Sequence, residues 1–190
     1  MILVLAPTYA PDDVIGPRAA WVAGLNVAAL RAAGFEVSTE VRPEVWEGLG
    51  FFGHGNERFP EAAGGVNALP ARTIERVRGG WLHVFACFTG QEFGPEAIRS
   101  GVATFAGYRE AIEPRWDERT IPPGLRGALE DVLTCVTLCL AHGRAPELRR
   151  RLRTATDRVI AWCDENPGSA DARLSVMVRG LERSLVLLPS

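Results

Sequence analysis

Two stretches decide how this chain is read: Leu49-Gly50-Phe51-Phe52-Gly53-His54-Gly55 and Trp81-Leu82-His83-Val84-Phe85-Ala86-Cys87-Phe88-Thr89-Gly90. Each is a short apolar run, rich in aromatics and bounded by glycine, that stops at a reactive side chain. Runs of this kind read as buried strands of a parallel sheet. The chain between them is about one crossover long and carries the helical pattern Arg72 to Arg78. A parallel connection of that length is normally right-handed and sets its strands side by side or close. Working groups in open parallel sheets collect beyond the carboxyl ends of the strands. His54 and Cys87 are therefore expected to meet there.

The pairing has a chemical meaning. A thiol with a pKa near ~8.5 is only a few per cent thiolate at neutral pH, and an imidazole within reach takes its proton or stabilises the thiolate as an ion pair. Gly55 and Gly90 are read as leaving room for a substrate backbone. The amides of Gly55 and Cys87 are expected to face a developing oxyanion, worth roughly 3–4 kcal/mol per donor in acyl transfer.

The order strand-His-Gly, then strand-Ala-Cys-x-x-Gly, resembles the caspase-like cysteine peptidases: caspases, metacaspases, gingipains, separases and, nearest in form, bacterial CHAT-domain proteases. Gly53-His54-Gly55 and Phe85-Ala86-Cys87-Phe88-Thr89-Gly90 carry the resemblance, and Gly101 to Tyr108 is similar to the next strand of the CHAT-type branch. It covers Met1 to Tyr108 and the last ten residues. It implies a catalytic dyad of His54 and Cys87, an oxyanion hole from the Gly55 and Cys87 amides, and no cofactor. It also implies a protein or peptide substrate and control by a separate regulatory protein in a signalling or defence system.

Composition is compatible with this. A chain of 190 residues with 47% hydrophobic content and a net charge of -2 describes one soluble domain, residues 1–190, with a sizeable core. No basic footprint calls for nucleic acid. All 21 cationic side chains are Arg, so lysine Schiff-base and P-loop chemistries are excluded. Met1 to Ala6 is apolar but too short for a signal peptide, and no stretch reaches the ~20 apolar residues of a membrane helix. A cytoplasmic location is expected, with Cys87, Cys135, Cys139 and Cys163 as thiols rather than a disulfide framework.

Along the chain, Met1 to Ala6 reads as a central strand. A loop carrying Asp12 and Asp13 follows, then a helix with Pro17 in its first turn and Gly34 past its end. Phe35 to Val41 alternates as an edge strand. Asn56 to Pro70 reads as a loop, Gly94 to Gly101 as a short helix, Val102 to Ala106 as a strand, and Glu113 to Gly124 as a connecting loop. Helical patterns cover Leu125 to His142, Pro146 to Glu165 and Asp171 to about Ser184, and Leu185 to Leu188 is either the end of that last helix or a closing edge strand, the strand being what the resemblance to the CHAT-type branch implies. The expected fold is α/β: a three-layer α/β/α sandwich with a mostly parallel central sheet and a helical C-terminal third.

Other clusters read as structural. Cys135, Cys139 and His142 share one helix face in a zinc-like spacing, with Cys163 as a conceivable fourth ligand. The surrounding leucines favour buried thiols acting as small hydrophobes, and no metal is expected. His83 reads as a packed histidine, and Arg149 to Arg153 as a solvated face. Substrate-binding candidates are Asp12, Asp13, Phe85, Glu92, Tyr108 and Arg109. Metacaspases carry an Asp two residues before the nucleophile to bind a basic side chain, and Phe85 stands there instead. The acidic Asp12-Asp13 loop favours a basic residue before the scissile bond, because a desolvated charge requires a counter-charge. Two rivals remain: an inactive caspase-like scaffold that binds a partner protein, and a flavodoxin-like small-molecule binder. The second would need a phosphate-cradling loop, for which the segment Pro7 to Asp13 is a poor fit.

Overall fold

The run that stops at Phe52 forms β3 (Gly48–Phe52), and the run that stops at Phe85 forms β7 (Trp81–Phe85), each buried at every residue. They pair directly and in parallel, from Gly48 opposite Trp81 to Phe52 opposite Phe85. Gly48 is dictated by that register, since a Cβ there would overlap the Trp81 indole. The computed structural model describes residues 1–10, 12–112, 118–169 and 173–189.

Strand β1 (Ile2–Leu5) lies on the other side of β3 and also pairs with the two-residue β2 (Val37–Ser38). Beyond β7 come β8 (Thr104–Tyr108) and β9 (Leu185–Pro189). The six-stranded sheet runs β2-β1-β3-β7-β8-β9, with β9 alone antiparallel. A second, three-stranded sheet is made by β4 (His54–Gly55), β5 (Pro60–Ala62) and β6 (Val66–Asn67). Strands β5 and β6 fall in the segment expected to be a loop, for they are too short to show alternation.

Helices cover both faces of the large sheet. On one face Phe52, Phe85 and Tyr108 pack under α1 (Ile15–Ala32) and α4 (Pro123–Ala141). The same core extends to α5 (Leu148–Glu165) and α6 (Arg173–Ser184). On the other face Phe51, Leu82, Val84 and Phe105 pack on α2 (Ala71–Ile74), the turn Glu75–Val77 after it, and α3 (Phe93–Arg99). The α1 helix ends as its sequence dictates: Gly34 has φ +88°, and the Phe35 amide reaches back to the Leu30 carbonyl at 3.0 Å. Asn26, fully buried, donates from its side chain to the carbonyls of Val22 and of Leu133 on α4, tying the two helices together.

Three boundaries differ from expectation. The strand expected at Val102 to Ala106 begins at Thr104, because Gly101 (φ +100°) turns the chain and Val102 drops into the core. The edge strand expected over Phe35 to Val41 shrinks to the two residues that β1 can pair. Of the loop expected over residues 113–124, residues 113–117 lie outside the described residues, and α4 already begins at Pro123. No helix among the described residues is long and apolar enough to cross a membrane.

His83 is packed, as its place inside a strand suggests. It is fully buried, its Nδ1 lies 2.8 Å from Thr137 Oγ1 on α4, and the rings of Phe52, Phe85 and Tyr108 surround it. Among the described residues its Nε2 has no hydrogen-bond partner, and burial pushes the ring down to about 3. The unfolded chain therefore takes up a proton near pH ~6.5 that the folded chain refuses, so folding stability falls with acid below that value. Denaturant titrations should show a loss of about 1.4 kcal/mol per pH unit between pH ~6 and ~4 from this group. His83→Gln, which can still bond Thr137, should flatten that slope; an unchanged slope would assign it elsewhere.

Candidate active site at the carboxyl edge of the sheet

Strand order reverses between β1 and β3, since β2 lies to one side of β1 and every later strand to the other. A crevice opens beyond the carboxyl ends of strands at such a point. Here the loop after β1 brings Asp13, and the residue just past β3 is followed by His54. His54 Nε2 lies 2.8 Å from Asp13 Oδ2. The other oxygen of Asp13, Oδ1, accepts the amides of Ile15 at 2.7 Å and Gly16 at 2.8 Å at the start of α1. Burial opposes ionisation of this carboxyl, but the bonds from Gly16, His54 and Ile15 prevail and hold it below the usual carboxylate range. An ionised Asp13 can only accept, so Nε2 carries a proton and Nδ1 of the neutral ring carries the lone pair.

Tyr9 fixes the same ring from a second direction. Its phenol accepts the His54 amide at 2.9 Å and donates to the Glu61 carbonyl at 2.7 Å, and the two rings meet edge to face at 4.7 Å. Burial first, and then the nearby Asp13 and Glu61 carboxylates, keep the phenol protonated against the His54 amide bond. Gly53 is glycine because any Cβ would overlap the Tyr9 hydroxyl. The Asn56 side chain bonds the Glu61 carboxylate and stiffens the small sheet that carries His54.

Cys87 lies in the turn that leaves β7. Phe88, immediately after it, has φ +58°, the one positive φ outside glycine among the described residues. Such a residue costs on the order of 1–3 kcal/mol and is retained where the surroundings over-determine it. Here Thr89 Oγ1 donates to the Ala86 carbonyl at 3.1 Å and the Gly90 amide donates to the Tyr108 carbonyl at 2.8 Å. The Cys87 sulfur accepts the Ile112 amide at 3.2 Å, and the Phe88 amide reaches the Glu110 carbonyl at 3.4 Å. Residues 108–112 thus run alongside the turn that carries Cys87.

The two halves touch. The Gly53 amide donates to the Phe85 carbonyl at 3.2 Å. A Cβ on Gly55 would stand 2.9 Å from Ala86 Cβ and Thr89 Cγ2, and 3.1 Å from the Cys87 carbonyl oxygen. The residues on either side of His54 therefore rest on the strand end and turn that hold Cys87. Comparison of the chain with family models, curated proteins and solved structures finds no match.

Several candidates take a different place from the one expected. Gly55 and Gly90 are small for packing rather than for a substrate: Gly90 faces Val186 of β9, where a Cβ would come within 2.6 Å. Phe85 and Tyr108 are buried against each other and His83, so neither lines a pocket. Asp13 has both oxygens engaged and acts on His54 rather than on a substrate side chain. Asp12 and Arg109 are exposed, and Glu92, also exposed, stands 3.7 Å from Arg58. A cavity of about 260 Å³ opens between residues 110–112 and α6, lined by Ile112, Val176, Met177 and Leu181 among others. Tyr9, Ile112 and this cavity were not anticipated. A signal for Asp13 did exist, since an Asp just ahead of a helix start is an amide-capping position.

Of the α4 thiols, Cys139 is buried as expected, whereas Cys135 is half-buried, and both line a groove that Arg151 of α5 also lines. His142 instead packs edge to face on Phe35 at 5.1 Å.

Proposed function

We propose that the protein is a cysteine endopeptidase of caspase-like type, working through Cys87 and His54. The observation that carries the reading is the Asp13-oriented histidine, carried on a segment that rests on the turn of Cys87. Asp13 holds the Nε2 proton, leaving Nδ1 to receive the thiol proton. The thiolate attacks the scissile carbonyl carbon, and the carbonyl oxygen becomes an oxyanion, for which the Gly55 and Cys87 amides are the proposed donors. As the tetrahedral intermediate collapses, the C–N bond breaks, the leaving amine takes the proton from His54, and a thioester remains on Cys87. Water, deprotonated by His54, attacks the thioester, releasing the acid and regenerating the thiol. No step calls for a cofactor.

The resemblance of Gly53-His54-Gly55 and Phe85 to Gly90 to the caspase-like peptidases supports the same reading. So does an α/β fold with a mostly parallel sheet and a helical C-terminal part. A regulatory protein partner and a cytoplasmic setting belong to the proposal. For specificity, Asp12 and Glu92 are exposed acids near the site, and Glu61 adds a third carboxylate beside Tyr9. We expect a positional library of peptides to be cut after Arg or Lys in preference to Asp or a large apolar residue. Cleavage after Asp would remove these acids from the specificity pocket, and absence of any cleavage, with an intact thiol at Cys87, would favour the inactive scaffold.

A further inference from the structure

The cavity of about 260 Å³ between residues 110–112 and α6 has apolar walls from both sides: Ile112 on one, Val176, Met177 and Leu181 on the other. Glu110 and Arg173 add one charge of each sign, both on exposed residues, so these two leave no net charge with which to select an ion. The volume falls below the roughly 300 Å³ at which sites for drug-sized ligands begin, and suits a single side chain. Val176 at the rim is 73% exposed, the most exposed large apolar side chain among the described residues. A surface that already shows this much hydrocarbon to water gains by covering it.

Its own wall joins the cavity to Cys87. The Ile112 amide donates to the Cys87 sulfur at 3.2 Å, and the Ile112 carbonyl lies 3.8 Å from the same atom. Two residues earlier, the Glu110 carbonyl accepts the Phe88 amide at 3.4 Å. The Arg109 amide in turn donates at 2.9 Å to the carbonyl of Ser184, the last residue of α6. Residues 109–112 are thus tied both to the turn of Cys87 and to α6, so the walls are held by the protein's own bonds. A group seated between them lies within a few bonds' reach of the sulfur.

We propose that this cavity binds an apolar side chain of the polypeptide that reacts at Cys87. The proposal rests on the peptidase reading and adds a second determinant of specificity to it. The first is the basic residue before the scissile bond, assigned to Asp12, Glu61 and Glu92, none of which lines this cavity. The second is an apolar residue elsewhere in the substrate, held by Ile112, Met177 and Leu181.

The test reads the cavity without calling on peptide cleavage. Cys87 of the whole protein is alkylated with iodoacetamide and, separately, with N-benzyliodoacetamide, whose ring stands in for the apolar side chain. In both reactions the thiolate displaces iodide and a thioether forms. Rates at Cys87 are followed by peptide mass spectrometry, and the ratio of the benzyl reagent to the plain one is divided by the same ratio for N-acetylcysteine in solution. The corrected ratio should be roughly tenfold, the scale on which an apolar pocket separates groups that differ by a few carbons. Gly180→Leu narrows the cavity from α6, at a position where a Cβ meets nothing within 4 Å and where leucine suits a helix better than glycine. Val176→Ser strips the apolar rim at an exposed site. Each should cut the ratio by about threefold or more, the effect of losing one buried CH₂ group, with thermal melts confirming the fold. A ratio no higher than that of N-acetylcysteine, no reaction of Cys87 with either reagent, or a ratio indifferent to both substitutions would overturn the proposal. Peptide turnover is measured on the same samples and separates the two readings. A tenfold ratio in a protein that cuts no peptide would support the pocket and remove the peptidase, whereas cleavage without the preference would overturn the pocket and keep the peptidase.

Discussion

Cys87→Ala is expected to lower peptide cleavage on the order of 10⁵-fold or more, the scale seen when an acyl-transfer nucleophile is removed. The loss should lie in kcat, because the sulfur bonds to substrate only along the reaction path. The fold should survive. The variant gives up the weak bonds between the Cys87 sulfur and the Ile112 amide and carbonyl, each worth about 1 kcal/mol or less, and alanine suits the partly buried turn. The measurement is turnover of a peptide substrate, with the regulatory partner present if one is needed, set beside a thermal melt. Undiminished turnover by a folded Cys87→Ala protein would remove Cys87 from the chemistry and with it the peptidase reading.

The second large effect is expected at Asp13. Asp13→Asn keeps an oxygen for the Ile15 and Gly16 amides, and Asn is as good as Asp at capping a helix. What it loses is the charge facing His54 Nε2 at 2.8 Å. Loss of a carboxylate that fixes the tautomer and supports the imidazolium costs roughly 10²- to 10⁴-fold in rate. We expect that loss in kcat with KM little changed. A merely structural Asp13 would leave kcat intact and change the melting temperature instead. The sign of the pH effect follows from its folded pKa being depressed. Its stabilising contribution is complete above the ordinary carboxylate value near ~3.9 and is lost only as pH falls through the lower folded value. Any acid limb of activity above pH ~5 therefore belongs to a group other than Asp13.

Which parts of this molecule could be read from sequence follows from the range of the interactions involved. Strands β3 and β7 were legible because burial on both faces leaves an uninterrupted apolar run, and the end of α1 because only glycine takes φ +88° without strain. The strand β9 was not decided by its residues, since a short apolar run after a helical pattern suits a helix end as well as an edge strand. The small sheet was not, because strands of two and three residues leave no periodicity, and the turn through Gly64 and Gly65 reads as a loop. The positions of His54 and Cys87 at one edge were anticipated, whereas the Asp13 contact was not. That contact spans 41 residues and depends on how a loop folds over a strand end. Phe85 and Tyr108 misled for a related reason. Alternation says that they share a face of the sheet with the site's residues, but not that α4 covers that face.

His54 does not belong to the large sheet. It is carried by the hairpin of β4, β5 and β6, whose strands are too short to be stable alone. The Tyr9 phenol and the Glu57 carbonyl, which accepts the Glu92 and Phe93 amides, pin it to the body together with the Asp13–His54 pair and the Gly53 amide on the Phe85 carbonyl. Opening of such a unit would cost less than global unfolding. On the proposed mechanism, molecules with the hairpin open would lack a positioned histidine, so turnover would scale with the closed fraction. Once the hairpin was mostly open, each further 1.4 kcal/mol or so taken from its closure would divide that fraction by about ten. The hairpin would then throttle the proposed reaction, with Tyr9 and Glu61 setting it without taking part in the chemistry.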